Sequence, residues 1–286
     1  ALAARFLPRA RYDAVARLYY FCRYMDDLAD AAPAGCNHDK LVGLRRDFVN
    51  GSSADPVMAD LLALQQAFGI PANLIMDFID ALIADQWPRY LQTQDELVRF
   101  CYGVASTVGL MMCHLFGVKN PRAYPFAVDL GVAMQMTNIC RDILEDAERD
   151  RVYLPAEMLE GQVSSVGLVE GDAAQRAIAY QGAVHLLEMA DEYYASAIQG
   201  YGYLPVAVRQ AIKIAARLYQ AIGEKIVAQP RQYWQRRTVV PRTTKCRLVG
   251  ELLGRRITEG SSKLIVQRAT HRPRLHKALD SQRFGT

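Results

Sequence analysis

The chain has 286 residues, of which 51% are hydrophobic and 22% charged, and its net charge is +4. That balance excludes a wholly disordered chain, and the length is sufficient for one large domain with its own core. The charge is unevenly divided: residues 231–286 carry +11 and residues 1–230 carry −7, which suits the C-terminal part to phosphate, nucleic acid or an anionic membrane.

In chain order, apolar residues at i, i+3 and i+4 predict helices over about 9–31, 39–50, 56–68, 72–86, 94–118, 121–148, 172–199, 204–228 and 242–254. Most prolines fall at the ends of these stretches, and Asn120-Pro121 reads as an N-cap followed by proline at the first helical position. No period-2 strand, repeat or low-complexity linker interrupts them, so the expected fold is all-α. Its domain covers residues 1–255, and a basic tail over 256–286 is expected to be solvated and partly disordered. Positions 100–118 hold no Asp, Glu, Lys or Arg, but Gly103, Ser106, Thr107, Gly109, His114 and Gly117 make a poor lipid-facing helix. A buried helix is expected there, with His114 as a core histidine. Six cysteines without a C-x-x-C pair, and no signal-peptide pattern at the start of the sequence, lead to an expectation of reduced thiols in a cytoplasmic protein.

Two helices carry acidic stripes in apolar settings. In the first, Tyr19, Arg23, Asp26, Asp27 and Asp30 follow i, i+4, i+7, i+8, i+11. In the second, Gln135, Asn138, Asp142, Glu145 and Asp146 follow i, i+3, i+7, i+10, i+11, on a helix whose preceding residues, 127–136, are almost entirely apolar. Carboxylates four apart on a buried helix repel one another and are costly without partners. Oxygen-only donor sets favour Mg²⁺, which bridges carboxylates to phosphates. With Arg23, Arg141, Arg149, Arg151 and Tyr153 close by in sequence, the pattern describes a site that holds a diphosphate and stabilises its departure. D-x-x-x-D spacing alone is weak evidence. It also occurs at Asp146/Asp150, where Asp150 is placed on a solvated face.

Cys22-Arg23-Tyr24-Met25-Asp26-Asp27-Leu28-Ala29-Asp30 resembles one aspartate-rich signature of the squalene/phytoene synthase family. Gln135-Met136-Thr137-Asn138-Ile139-Cys140-Arg141-Asp142-Ile143-Leu144-Glu145-Asp146, continued by Arg151-Val152-Tyr153-Leu154-Pro155, resembles the other. The resemblance extends to the segment from Tyr102 to Met112, to Leu204-Pro205, and to Arg209 and Tyr219, and covers about residues 5–255. It implies a single-domain all-α isoprenoid synthase fold, with helices around a central apolar cavity. It also implies Mg²⁺-dependent (or Mn²⁺-dependent) head-to-head joining of two prenyl diphosphates through a cyclopropylcarbinyl diphosphate.

By position, the resemblance assigns Asp26, Asp30, Asn138, Asp142 and Asp146 to metal. Catalysis falls to the four aspartates and Tyr153, and substrate to Tyr19, Arg23, Asp27, Gln135, Asn138, Arg141, Tyr219 and Arg236, with Arg237 the alternative to Arg236. Two geranylgeranyl diphosphates giving phytoene is the leading expectation. Two farnesyl diphosphates giving presqualene diphosphate, squalene or dehydrosqualene is the alternative, with NADPH required only for squalene. A non-catalytic assembly protein with the same fold is a remoter alternative, set against by the four intact aspartates. Ser106 stands where many phytoene synthases carry glycine. The stretch 104–116, including Leu110, Met111, Met112 and Phe116, is a candidate cavity wall. A peripheral membrane contact is expected for so apolar a product, whereas the basic tail lacks any recognisable nucleic-acid module. The oligomeric state is not readable from the sequence.

Overall fold

The computed structural model describes residues 9–31, 33–235, 237–241, 243–244, 247–250 and 271–279. Arg236 and most of the expected 242–254 helix lie outside the described residues. Helix α1 spans Arg9–Ala29, α2 His38–Asn50, α3 Pro56–Phe68 and α4 Ala72–Ala84. Their boundaries follow local chemistry. Asp55 accepts from the backbone N–H groups of Val57 (2.9 Å) and Met58 (3.2 Å), with Pro56 at the first helical position.

The expected helix over 94–118 is three pieces: α5 (Gln94–Cys101), a π-helical turn (Tyr102–Ser106) and α6 (Thr107–Phe116). Thr93 and Glu96 form a reciprocal capping box at its start. Thr107 Oγ1 donates back to the Gly103 carbonyl at 2.7 Å, and Gly117 ends α6 in the left-handed conformation. By length and composition Gln94–Phe116 is apolar enough to cross a membrane, but it lies within the helical core, 61% buried.

After a single 3₁₀ turn at Pro121–Ala123, α7 (Tyr124–Ala147) runs through the centre and packs against α6, the π turn and two later helices, α9 (Ala173–Gln199) and α10 (Val206–Ala228). The short α8 (Ser165–Glu170), which periodicity did not reveal, precedes α9, and α11 (Pro230–Tyr233) follows α10. Two two-residue strands, β1 (Arg89–Tyr90) and β2 (Arg151–Val152), pair in parallel with Arg89 opposite Arg151. Such a pairing is too short to leave a period-2 signal. Asp150 sits in the tight turn before β2 with φ 56°, its carboxylate accepting from Tyr90 and Ser165 hydroxyls. It is exposed, as expected from the sequence, but it stands in a turn and not on a helix.

The π turn and α7 touch backbone to backbone. A Cβ built on Gly131 would lie 2.5 Å from Ser106 Cα and 2.7 Å from its nitrogen. Ser106, fully buried, donates to the Val128 carbonyl at 2.8 Å, so its hydroxyl is used in joining the two helices. Within the segment read from the sequence as a basic tail, residues 273–279 form a helical turn. It is packed against α5, with Leu275, His276 and Leu279 buried.

Candidate active site

Side chains from α1, α4, α5, α7, β2 and the segment after α11 line one polar cavity of about 330 Å³. Asp26 and Asp30 come from α1, and Asn138, Asp142, Glu145 and Asp146 from α7. Arg23, Arg141, Arg149, Arg151 and Arg237 interleave with them, and Tyr153 and Asp85 complete the wall. A second cavity, about 380 Å³ and largely apolar, adjoins it, and both are lined by Asp26, Val104, Gln135 and Asn138.

The helical spacing read from the sequence accounts for most of this. Tyr19 at the apolar cavity, and Arg23, Asp26 and Asp30 at the polar one, share a face of α1. The α7 stripe Gln135, Asn138, Asp142, Glu145 and Asp146 lies entirely on the polar wall. Asp27 does not line either cavity: it is exposed and pairs with Arg23, one turn back, at 2.8 Å. Tyr219 lines the apolar cavity. Arg209 does not; it donates to the Gly202 and Leu204 carbonyls at 3.1 and 3.0 Å and secures the turn before α10.

Asp142 accepts a two-pronged ion pair from Arg237, 2.8 Å from Nε and 2.9 Å from the terminal nitrogen, and a second pair from Arg141. Arg237 is brought there because the Tyr233 hydroxyl donates to the Cys140 carbonyl, anchoring the segment after α10 on α7. Bidentate guanidinium–carboxylate geometry is also the geometry in which arginine grips phosphate.

Asp85, at the C-terminus of α4, is the site residue that sequence reasoning missed. It is almost fully buried and accepts from the Tyr153 hydroxyl at 2.7 Å, while Arg89 lies 3.3 Å and Arg151 3.8 Å away. Arg151 donates to Asp30 at 2.7 Å, and Tyr153 stacks on Phe100 with centroids 4.5 Å apart. The β1–β2 pairing delivers Arg151 and Tyr153 to α4, with Arg89 N–H donating to Asp150 and Leu91 N–H to Val152. The i,i+4 pair with Arg89 is all that the sequence around Asp85 offers; the partners that bring it into the site, Arg151 and Tyr153, are more than sixty positions away.

Crowding carboxylates in a buried cavity makes them hard to ionise. Burial, reinforced by Asp30, Asp27 and Asp85, pushes Asp26 up to about 7 against the pull of Arg23. Burial and the charges of Asp142 and Asp85 hold Asp146 well above the usual carboxylate range, and burial raises Asp85 despite Arg151 and Tyr153. Burial also lifts the Tyr153 phenol far above its ordinary value, with Asp85 adding to the effect. Tyr153 therefore stays protonated and serves as a hydrogen-bond donor.

Among the described residues, two buried polar atoms on this wall have no protein partner: Asn138 Oδ1, whose amide nitrogen already donates to Gln135 at 3.2 Å, and Arg151 Nε. One is an acceptor suited to a cation and the other a donor suited to an anion. An oxygen-only donor set with a free amide oxygen fits a hard divalent cation.

A cation must displace the protons that burial retains, so its binding is expected to strengthen with pH until about 7, where Asp26 ionises. The stability contributed by the raised Asp26 value is fully present below its unfolded value near 3.8 and is lost as pH rises through about 7. Mg²⁺ should therefore raise the thermal midpoint more at pH 8 than at pH 5.5. Melts showing the same increment at both pH values would contradict this account.

The apolar cavity is walled on one side by Val104, Ala105, Val108, Gly109, Met112, Cys113 and Phe116. Leu110 and Met111, expected in the same wall, are fully buried in the core instead, because they fall on the opposite face of α6. Ser106 faces α7 and lines neither cavity, so it does not touch a chain held there. His114 lies beside Tyr124, rings 5.7 Å apart, with Nε2 lacking a partner and its basicity lowered by burial. It is half-buried and neutral, stacked on Tyr124, and not the fully buried and hydrogen-bonded core histidine expected from the sequence.

The squalene/phytoene synthase family model matches residues 1–244. A phytoene synthase of Pseudescherichia vulneris is 35% identical over 253 residues, covering 83% of this chain and 81% of that protein. A 15-cis-phytoene synthase of a Paracoccus species is 32% identical over 261 residues, covering 87% and 84%. A crystal structure of a dehydrosqualene synthase in complex with ligand superposes with a TM-score of 0.74 at 25% identity, covering 90% of this chain and 91% of that one.

Proposed function

This chain belongs to the squalene/phytoene synthase family and is a prenyltransferase, and we propose that it joins two geranylgeranyl diphosphates head to head to give phytoene, with Mg²⁺ as the metal. The observation that carries this reading is the junction of the two cavities. An acidic and arginine-lined chamber adjoins an apolar one, with Asp26, Val104, Gln135 and Asn138 lining both, so a diphosphate and its hydrocarbon tail have one chamber each. The choice of C20 substrates rests on the relatives named phytoene synthase.

Asp26, Asp30, Asn138, Asp142 and Asp146 would hold the metal. Bound there, Mg²⁺ supplies charge that offsets the diphosphate and favours its departure. Arg23, Arg141, Arg151 and Arg237 would grip the diphosphate oxygens, with Arg141 and Arg237 held at the chamber wall by Asp142. Asp85 holds Tyr153 and Arg151 in place from behind. The allylic cation left after departure adds to the double bond of the second substrate. The resulting cation closes to the cyclopropylcarbinyl diphosphate by losing a proton, for which the departed diphosphate is the base at hand. That intermediate then loses its own diphosphate, rearranges and sheds a second proton to give the hydrocarbon. Met112, Phe116, Leu130 and Met134 shield these cations from water.

The test is a product assay on purified protein given geranylgeranyl or farnesyl diphosphate, with Mg²⁺ or EDTA and with or without NADPH. A C40 hydrocarbon that needs Mg²⁺ and not NADPH is the expected result. A C30 product would keep the chemistry and overturn the chain length, with NADPH dependence separating squalene from dehydrosqualene. No product from either substrate would favour a fold kept for binding alone.

A further inference from the structure

A carboxylate that the mechanism does not use is buried in the middle of the fold. Asp129 on α7 is fully inaccessible, an expensive position for a charge unless it is multiply hydrogen-bonded. Its partners come from residues 271–279, 142 and 147 positions away. His271 Nε2 donates to one carboxylate oxygen at 2.9 Å and His276 Nε2 to the other at 2.8 Å, with the two rings 4.2 Å apart. Burial opposes ionisation of Asp129, but hydrogen bonds from His271, His276 and Ser196 outweigh it and hold the carboxyl below its ordinary value. The Tyr193 hydroxyl adds a bond to the Leu275 carbonyl at 2.8 Å.

The strap held in this way packs His271 against a side chain that lines the apolar cavity. Phe126, one turn before Asp129 on α7, lines the cavity and is held on three sides. Gly200 approaches so closely that a Cβ there would lie 2.2 Å from Phe126 Cβ, Tyr203 stacks with centroids 6.0 Å apart, and the Phe126 and His271 rings pack edge to face at 5.5 Å. Along α7 the cavity wall runs from Asn138 at the polar end to Phe126, twelve residues or about 18 Å. Phe126 is therefore remote from the diphosphate chamber, where the tail of a long substrate would end.

We infer that Asp129, His271 and His276 are positioning residues that set the end wall of the hydrocarbon cavity through Phe126, and so limit the prenyl chain length this enzyme accepts. This rests on the proposed prenyl-diphosphate substrate and adds a determinant from outside the cavity lining. The same three residues are the one described group of His and Asp whose ligand atoms all lie within 4.8 Å of one another. Their nitrogen–oxygen separations are hydrogen-bond lengths, shorter than the roughly 3.3 Å edge that a tetrahedral ion would impose.

The test uses the full chain and saturated alkyl diphosphates of C10, C15, C20 and C25, which lack the allylic double bond and report binding without turnover. Calorimetry with Mg²⁺ should show affinity rising to C20 and falling at C25. In His271→Ala and Asp129→Asn the C20-over-C25 preference should drop by about fivefold, with inorganic pyrophosphate binding unchanged. Phe126→Leu should shift the preference in the same direction. A preference that stays put in variants with intact helical circular dichroism, or that is absent from the parent chain, overturns the inference. So does a stoichiometric transition metal in the purified protein, because it would replace the hydrogen-bonded clamp. If the preference moves as expected but the parent chain forms no C40 hydrocarbon, the clamp stands and the reaction reading fails. If C40 forms and the preference does not move, only the clamp fails.

Discussion

Asp142→Asn is expected to lower kcat/KM by about a thousandfold, roughly 4 kcal/mol of transition-state stabilisation, while leaving helical circular dichroism unchanged. Asparagine is nearly isosteric, and the side chain lies on the cavity wall and not in the packed core, so folding has little to lose. The charge has more to lose. Asp142 anchors Arg141 and the bidentate Arg237, and it raises its neighbour Asp146. An amide cannot provide the same metal donor or hold two guanidinium groups in register. The variant should also require more Mg²⁺ for half-maximal rate. A variant with near-parental turnover at saturating Mg²⁺ would remove Asp142 from the metal set.

Gly131→Ala is expected to cost about 3 kcal/mol, lowering the melting temperature by roughly 10 °C, although alanine is the better helix former by about 1 kcal/mol. The new methyl group would lie 2.5 Å from Ser106 Cα and 2.7 Å from Ser106 nitrogen, and backbone cannot swing aside as a side-chain tip can. Separating α7 from the π turn would also move Val104 and Ala105, which line the apolar cavity. Gly43, in α2, is the control: nothing lies within 4 Å of its Cβ position, so Gly43→Ala should be neutral or slightly stabilising. Equal melting temperatures for the two variants would refute the close-approach argument.

Sequence periodicity was enough to bring most of the acidic wall together. A helix places residues at i, i+3, i+7 and i+11 on one face wherever it packs, so Gln135, Asn138, Asp142 and Asp146 were legible as a group before any contact was known. The same periodicity placed Tyr19, Arg23, Asp26 and Asp30, but it also included Asp27, which lies just off the face and pairs with Arg23. A stripe drawn at i+7 and i+8 is wider than a cavity wall. The resemblance likewise left the choice between Arg236 and Arg237 open, and the bidentate contact from Arg237 to Asp142 comes from how the segment after α10 folds back.

The chain's helical class, its apolar core helix and its two acidic stripes were written in the sequence, because each depends on spacing within a single helix. Tertiary structure alone decided the remainder. The π turn arises where α7 approaches too closely for a side chain at Gly131, and the two-residue β1–β2 pairing sets Arg151 and Tyr153 against Asp85. Asp129 acquires its two histidines across more than 140 positions. Local propensity and periodicity register energies between residues a few positions apart. A buried carboxylate and its distant donor have no such spacing, and become partners only when packing removes the water that would otherwise satisfy both.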